Sequence, residues 1–182
     1  MYVWGAALVL VGTICVLNLV LTLGVIARLR THTELLSLGG EGGPLPALPV
    51  GGEVGAFTAR TVDGEPLSHE ALDGDTVVAF FSPTCKPCRE NLPAFVRFAR
   101  EAQGGTTRTL AVVVSDAERA ASFVSELSPV TRVAVETRGG PLCSAFGVSA
   151  FPATVRVAPD DAGKLRIKAD RVALDQSATV AA

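Results

Sequence analysis

Two cysteines separated by two residues, Cys85-Lys86-Pro87-Cys88, are the place in this chain where residue types and spacing could carry redox chemistry. Such thiols can close a small disulfide and exchange it with another disulfide or dithiol. The apolar run Thr76–Phe81 (TVVAFF) precedes them. After them, residues 86–103 place Leu92, Phe95, Val96 and Ala99 at the spacing of one helical face, stopping at Gly104-Gly105. The pair therefore falls where a strand hands over to a helix. A cysteine at a helix N-terminus faces unpaired N–H groups and the positive end of the macrodipole, and both favour thiolate. Lys86 adds a cation, and Pro87 fits a first turn in which its missing N–H costs nothing. Cys85, at the turn, is then the exposed nucleophile, and Cys88, one turn in, the buried resolving thiol.

Three other uses of the pair compete with this one. Structural zinc needs four ligands, and only Cys143, His69 and His32 could complete a set; none is suitably spaced, so no metal and no cofactor is expected. A peroxidatic cysteine would want proline seven residues and threonine or serine three residues upstream. Ser82 fits the nearer place, but Val78 occupies the farther. An inert pair is the third possibility, against which stands the position of the motif between strand and helix of a βαβ pattern.

The elements that must position the pair follow from periodicity. Ala56–Val62, the turn Asp63-Gly64 and Glu65–Leu67 read as a short hairpin. The runs 76–81 and 109–114 (TLAVVV) are apolar throughout, as strands buried on both faces of a parallel sheet are. Ser115 is placed to cap a helix over 117–127. A strand over 132–136, a short helix over 141–146 and a final hairpin of 153–158 with 164–169 complete the order β-hairpin, β, α, β, α, β, α, β, β. This is an α/β chain: a helix-flanked mixed sheet whose parallel core is extended by an antiparallel hairpin.

The N-terminus is a different kind of sequence. Tyr2–Ala27 holds no charged residue, and about 20 apolar residues suffice to span a bilayer as a helix. Only Met1 precedes the run, so it lacks the basic n-region of a cleaved signal and is expected to be a retained single-pass anchor. Cys15, in the middle of that run, reads as a packing residue. Residues 1–36 are thus anchor and exit, 37–53 a tether in which nine of 17 residues are Gly or Pro, and 54–182 the domain. Lys and Arg number 16 against 18 Asp and Glu, leaving no electrostatic case for nucleic acid. Arg28 and Arg30 follow the span, which by the positive-inside bias puts the domain in the cytoplasm.

The segment FFSPTCKPCRENLPAF resembles the active-site segment of the thioredoxin superfamily, in its membrane-anchored TlpA-like and MauD-like branch. Pro93 stands where those proteins kink the active-site helix. Phe151-Pro152 matches the cis-proline loop that faces the disulfide and binds substrate backbone. The spacing between Cys88 and Pro152 accommodates the extra strand and helix of that branch. The resemblance implies a thioredoxin-like fold and a thiol–disulfide oxidoreductase with Cys85 and Cys88 as catalytic residues. It implies Phe151 and Pro152 as substrate-binding residues, with Lys86, Pro87 and Glu90 modulating. It further implies client-protein disulfides or thiols as partners, a separate electron donor or acceptor, and a domain on the outer face of the cell membrane, against the side favoured by Arg28 and Arg30. A non-catalytic client-binding module and an anchored thiol peroxidase are the alternatives. The sequence departs from the family pattern at three places. Ala79 stands for a buried aspartate. Asn91 stands for a common glutamate, with Glu90 about 100° around the helix from it. Thr84 stands for the tryptophan before the first cysteine.

Overall fold

The computed structural model describes residues 47–72, 74–102 and 104–170, together with Gly12, Val172 and Leu174. In chain order these form β1 (Thr58–Arg60), β2 (Pro66–Ser68), β3 (Thr76–Phe81), α1 (Lys86–Glu101), β4 (Thr109–Val114), α2 (Ala117–Leu127), β5 (Arg132–Glu136), α3 (Pro141–Ala145), β6 (Ala153–Pro159) and β7 (Leu165–Ala169). The element order is the one expected. The apolar segment Tyr2–Ala27, read as an anchor, lies outside the described residues except for Gly12. Among the described residues no helix is long and apolar enough to cross a membrane.

Five strands make one sheet in the order β5-β4-β3-β6-β7, while β1 and β2 pair by themselves. β3, β4 and β5 run parallel, and β6 and β7 continue the sheet antiparallel. Every residue of β3 and of β4 is buried, because both faces of the sheet are covered and alternate side chains enter opposite cores. Val78 and Phe80 join Phe146, Leu142, Phe57 and Val155 on one side. Val77, Ala79 and Phe81 join Cys88, Leu92, Phe95 and Phe123 on the other. Phe81 meets Phe95 and Phe123 at centroid distances of 5.4 and 6.2 Å, and Phe80 meets Phe146 at 5.3 Å. Val172 and Leu174 pack on the α1 and α2 side.

Three expectations are corrected. Residues 47–53 are not free tether: Ala47 is buried, Leu48 N–H donates to the Phe146 carbonyl, and Gly51 N–H donates to the Ile167 carbonyl, whose own N–H donates to Gly52. A Gly/Pro-rich segment can still supply backbone hydrogen bonds to a sheet edge, and this one covers β7. The cap of α2 is Asp116, not Ser115: the Asp116 carboxylate accepts from Arg119 N–H at 2.9 Å, while Ser115 N–H is taken by the Glu136 carbonyl. The first hairpin is shorter than its pattern suggests, since Thr61 already belongs to the turn, accepting from Gly64 N–H and, through its hydroxyl, from Glu65 N–H.

Candidate active site

β3 runs out at Phe81, and residues 82–84 turn the chain into α1. Cys85 N–H donates to the Ser82 carbonyl at 3.0 Å, and the Ser82 and Thr84 hydroxyls share a hydrogen bond of 3.1 Å. Cys85 is the N-cap of α1 in an extended conformation, with Pro87 inside the first turn. Its side chain is partly exposed, while Cys88, three residues on, is fully buried, and both are free thiols. That difference follows from helix geometry, because Cys88 lies on the stripe with Leu92, Phe95 and Ala99 that faces the sheet. Pro93 sits inside α1 on its exposed side, where it leaves the Arg89 carbonyl without its helical donor.

The Cys88 thiol is pushed up to about 12. Burial is the main cause, followed by the hydrogen bond with Cys85; the Ser82 N–H, which donates to Cys88 Sγ at 3.4 Å, and the Arg89 charge pull the other way. Ala79, in the place of the family's buried acid, is fully enclosed in the same core. Among the described residues no carboxylate touches Cys88.

Facing the pair is the loop before β6. The Phe151–Pro152 peptide bond is cis, as expected. Cys85 Sγ donates to the Phe151 carbonyl at 3.5 Å. The Phe151 ring is half-buried against both cores, and the Arg138 guanidinium lies over it at 5.4 Å from the centroid. Arg138 is delivered by the turn between β5 and α3. Gly139 there takes φ of +77°, which favours glycine, and a Cβ on Gly140 would stand 2.6 Å from Glu136 Oε2. The Glu136 carboxylate accepts from Leu142 N–H at 2.9 Å and Cys143 N–H at 2.7 Å, holding the start of α3.

Of the residues expected at the site, Cys85, Cys88 and Phe151 are brought together, with Pro152 joined to Phe151 by the cis bond and Pro87 in the turn between the thiols. Lys86 and Glu90 instead face each other at 3.6 Å, with side chains 78% and 62% exposed, a pair of little energetic weight. The cation that acts on Cys88 is Arg89, whose Nη1 donates to the Pro83 carbonyl at 2.7 Å. Sequence reading missed Arg89, Arg138 and Glu136, and weighed Ser82 only for a peroxidatic cysteine. Of the three missed, Arg89 alone carried a local signal, its closeness to the motif. His69, weighed as a metal ligand, lies edge-on to Phe57.

The chemistry this arrangement suits is exchange: its two sulfurs, one reachable and one enclosed, form a disulfide as a partner disulfide is reduced, or open one as a partner dithiol is oxidised. A model of the AhpC/TSA family matches residues 50–166. No curated protein matches the chain. Among solved structures it is similar to MTB DsbF, in mixed oxidised and reduced forms, with TM-score 0.51 and 24% identity over 65% of this chain and 87% of that one. It is also similar to the thioredoxin domain of a thiol-disulfide oxidoreductase from Bacteroides vulgatus (TM-score 0.54, 18% identity, 69% and 89% covered). A thiol-disulfide oxidoreductase from Bacteroides fragilis gives TM-score 0.54 and 14% identity, with 67% and 92% covered. At these identities the likenesses establish a thioredoxin-like fold.

Proposed function

The chain belongs to the AhpC/TSA family and is a thiol-based oxidoreductase of thioredoxin-like fold; from that premise we propose that it exchanges disulfides with client proteins through Cys85 and Cys88 while anchored in a membrane by Tyr2–Ala27. The observation that carries the reading is the asymmetry of the two sulfurs. Cys85 caps α1 and is reachable beside the Phe151 carbonyl, whereas Cys88 is enclosed one turn away.

In the reducing direction, Cys85 as thiolate attacks one sulfur of a client disulfide. The client S–S bond breaks, and the other client sulfur leaves as a thiolate. Cys88 gives up its proton to the departing thiolate or to water and attacks Cys85 Sγ. The bond from Cys85 to the client then breaks, and the second client sulfur leaves and takes up a proton. Cys85 and Cys88 are oxidised by two electrons to a disulfide, and the client is reduced to two thiols. The reverse sequence oxidises a client dithiol, and a separate electron donor or acceptor resets the pair. Backbone beside Phe151-Pro152 offers an extended client segment its hydrogen bonds. A peroxidase would want proline at residue 78, where Val78 stands fully buried in β3.

The test is trapping. Cys88→Ser, which cannot resolve, is expected to accumulate mixed disulfides with clients, and Cys85→Ser to give none. Equal trapping by both, or trapping by Cys85→Ser alone, overturns the roles. We also propose a domain on the outer face of the cell membrane, which the resemblance of the active-site segment favours. After reduction, a membrane-impermeant thiol reagent should therefore label Cys85 in intact cells; labelling only after lysis puts the domain inside, the side Arg28 and Arg30 favour.

A further inference from the structure

We infer that the client segment this site takes carries acidic residues beside its cysteine, and that Arg138 and Arg89 are the specificity-determining residues that select it. The inference rests on the exchange reading above and deepens it. β3 and β5 are parallel members of one sheet, so the turn leading into α1 and the turn leading into α3 leave it at the same end. From the first comes Arg89, bound to the carbonyl of Pro83 at 2.7 Å, two residues before Cys85. From the second comes Arg138, whose guanidinium lies over the ring of Phe151, the residue whose carbonyl stands 3.5 Å from Cys85 Sγ. The reachable sulfur thus has one guanidinium from the first turn of α1 folded back onto the loop before it and another on the loop facing it. Both arginines are exposed.

Three of the acids at this end are otherwise engaged. Glu90 faces Lys86, Glu136 is held by the Leu142 and Cys143 amides, and Asp116 caps α2 and pairs with Arg119. Glu118 stands exposed on α2, partner to neither guanidinium. Among the described residues no carboxylate meets Arg89 or Arg138. A guanidinium has five N–H donors in a planar fork suited to carboxylates. Arg89 uses one of its donors on Pro83 and Arg138 offers its face to Phe151, so most donors remain for a ligand. A client strand extended past Cys85 would carry the residues flanking its cysteine between these two groups.

The experiment uses the reduced full-length protein and three peptides of equal length. Each contains one disulfide and differs only in having Glu, Gln or Lys beside the cysteines; exchange is followed by quenched alkylation. An exposed ion pair changes a rate by up to about fivefold, so the wild type should prefer the Glu to the Lys peptide by roughly tenfold at low salt. The preference should narrow at about 1 M salt, where the Debye length is about 3 Å. Arg138→Gln and Arg89→Gln should each cut the ratio by about threefold, Arg138→Lys should keep it, and Arg138→Glu should bring it close to one. The ratio within each variant is the readout, because a residue that only supports the loop would slow all three peptides alike. Equal wild-type rates with all three peptides overturn the inference and leave the exchange reading standing. A wild-type preference untouched by the arginine variants overturns the assignment to these residues. No exchange with any peptide overturns the exchange reading, and this inference with it.

Discussion

Cys88 and Cys143 are two buried thiols of the same domain that differ in what stands beside them. Each is 0–3% exposed, and each is pushed up to about 12, with burial the first cause. Beside Cys88 the second cause is a sulfur, that of Cys85. Beside Cys143 it is a carboxylate, that of Glu136, which also accepts the Cys143 N–H. Burial and proton affinity alone therefore do not make a resolving thiol. What makes one is a second, reachable sulfur within the same turn of helix, so that losing the proton is coupled to forming a bond. Cys143 has proton affinity without such a partner, and it reads as packing against Phe146, Phe57 and the β3 face.

The largest expected effect separates the two directly. Cys85→Ser should abolish disulfide exchange, while Cys143→Ala should leave the rate within about twofold, since it removes no reacting sulfur. Turnover with a small disulfide measures both. Comparable losses would make Cys143 a third redox thiol and dissolve the contrast.

Alkaline stability compares the two thiols on equal terms. Both folded values lie above the ordinary thiol value of 9.0, so the folded state holds protons that the unfolded state releases. Their stabilisation is complete below about pH 9 and is lost as pH rises towards about 12, at up to about 1.4 kcal/mol per pH unit for each thiol. Denaturant midpoints of the reduced protein should fall across that window. Closing the Cys85–Cys88 disulfide removes the Cys88 share, and the slope should roughly halve, leaving the Cys143 share. An unchanged slope would show that Cys88 contributes none.

Glu136→Gln tests the other neighbour. The two N–H groups bind different carboxylate oxygens, one of which becomes a donating NH2 in glutamine, and a part-buried donor left over costs about 1–3 kcal/mol. Thermal unfolding should report that loss. The same variant removes a cause that raises the Cys143 thiol, so Cys143 should react with alkylating reagents at lower pH than in the wild type. Unchanged stability would mean that the start of α3 does not depend on this carboxylate.

The smallest effect is expected at Lys86. Its charge stands opposite Glu90 in solvent, where such pairs contribute about 0–1 kcal/mol. Lys86→Ala should change exchange by no more than about twofold, and Arg89→Ala by more, because Arg89 acts on Cys88 and binds the loop before Cys85. The reverse order would return the electrostatics of the site to Lys86.

What the sequence by itself determined is what local pattern can encode. The uninterrupted apolar runs 76–81 and 109–114 demanded strands covered on both faces, and both proved buried at every residue. The 3.6-residue spacing after Cys88 set the buried face of α1, and with it which cysteine is enclosed. What only the tertiary structure decided depends on residues far apart in the chain. Arg138 reaches Phe151 because parallel strands bring two turns to one end of the sheet. Glu136 holds α3 because Gly140 leaves room for its carboxylate. Residues 47–53, whose composition reads as linker, are held by backbone hydrogen bonds to Phe146 and Ile167. Periodicity records which face of an element is apolar, but not which distant backbone or guanidinium the fold will set against it.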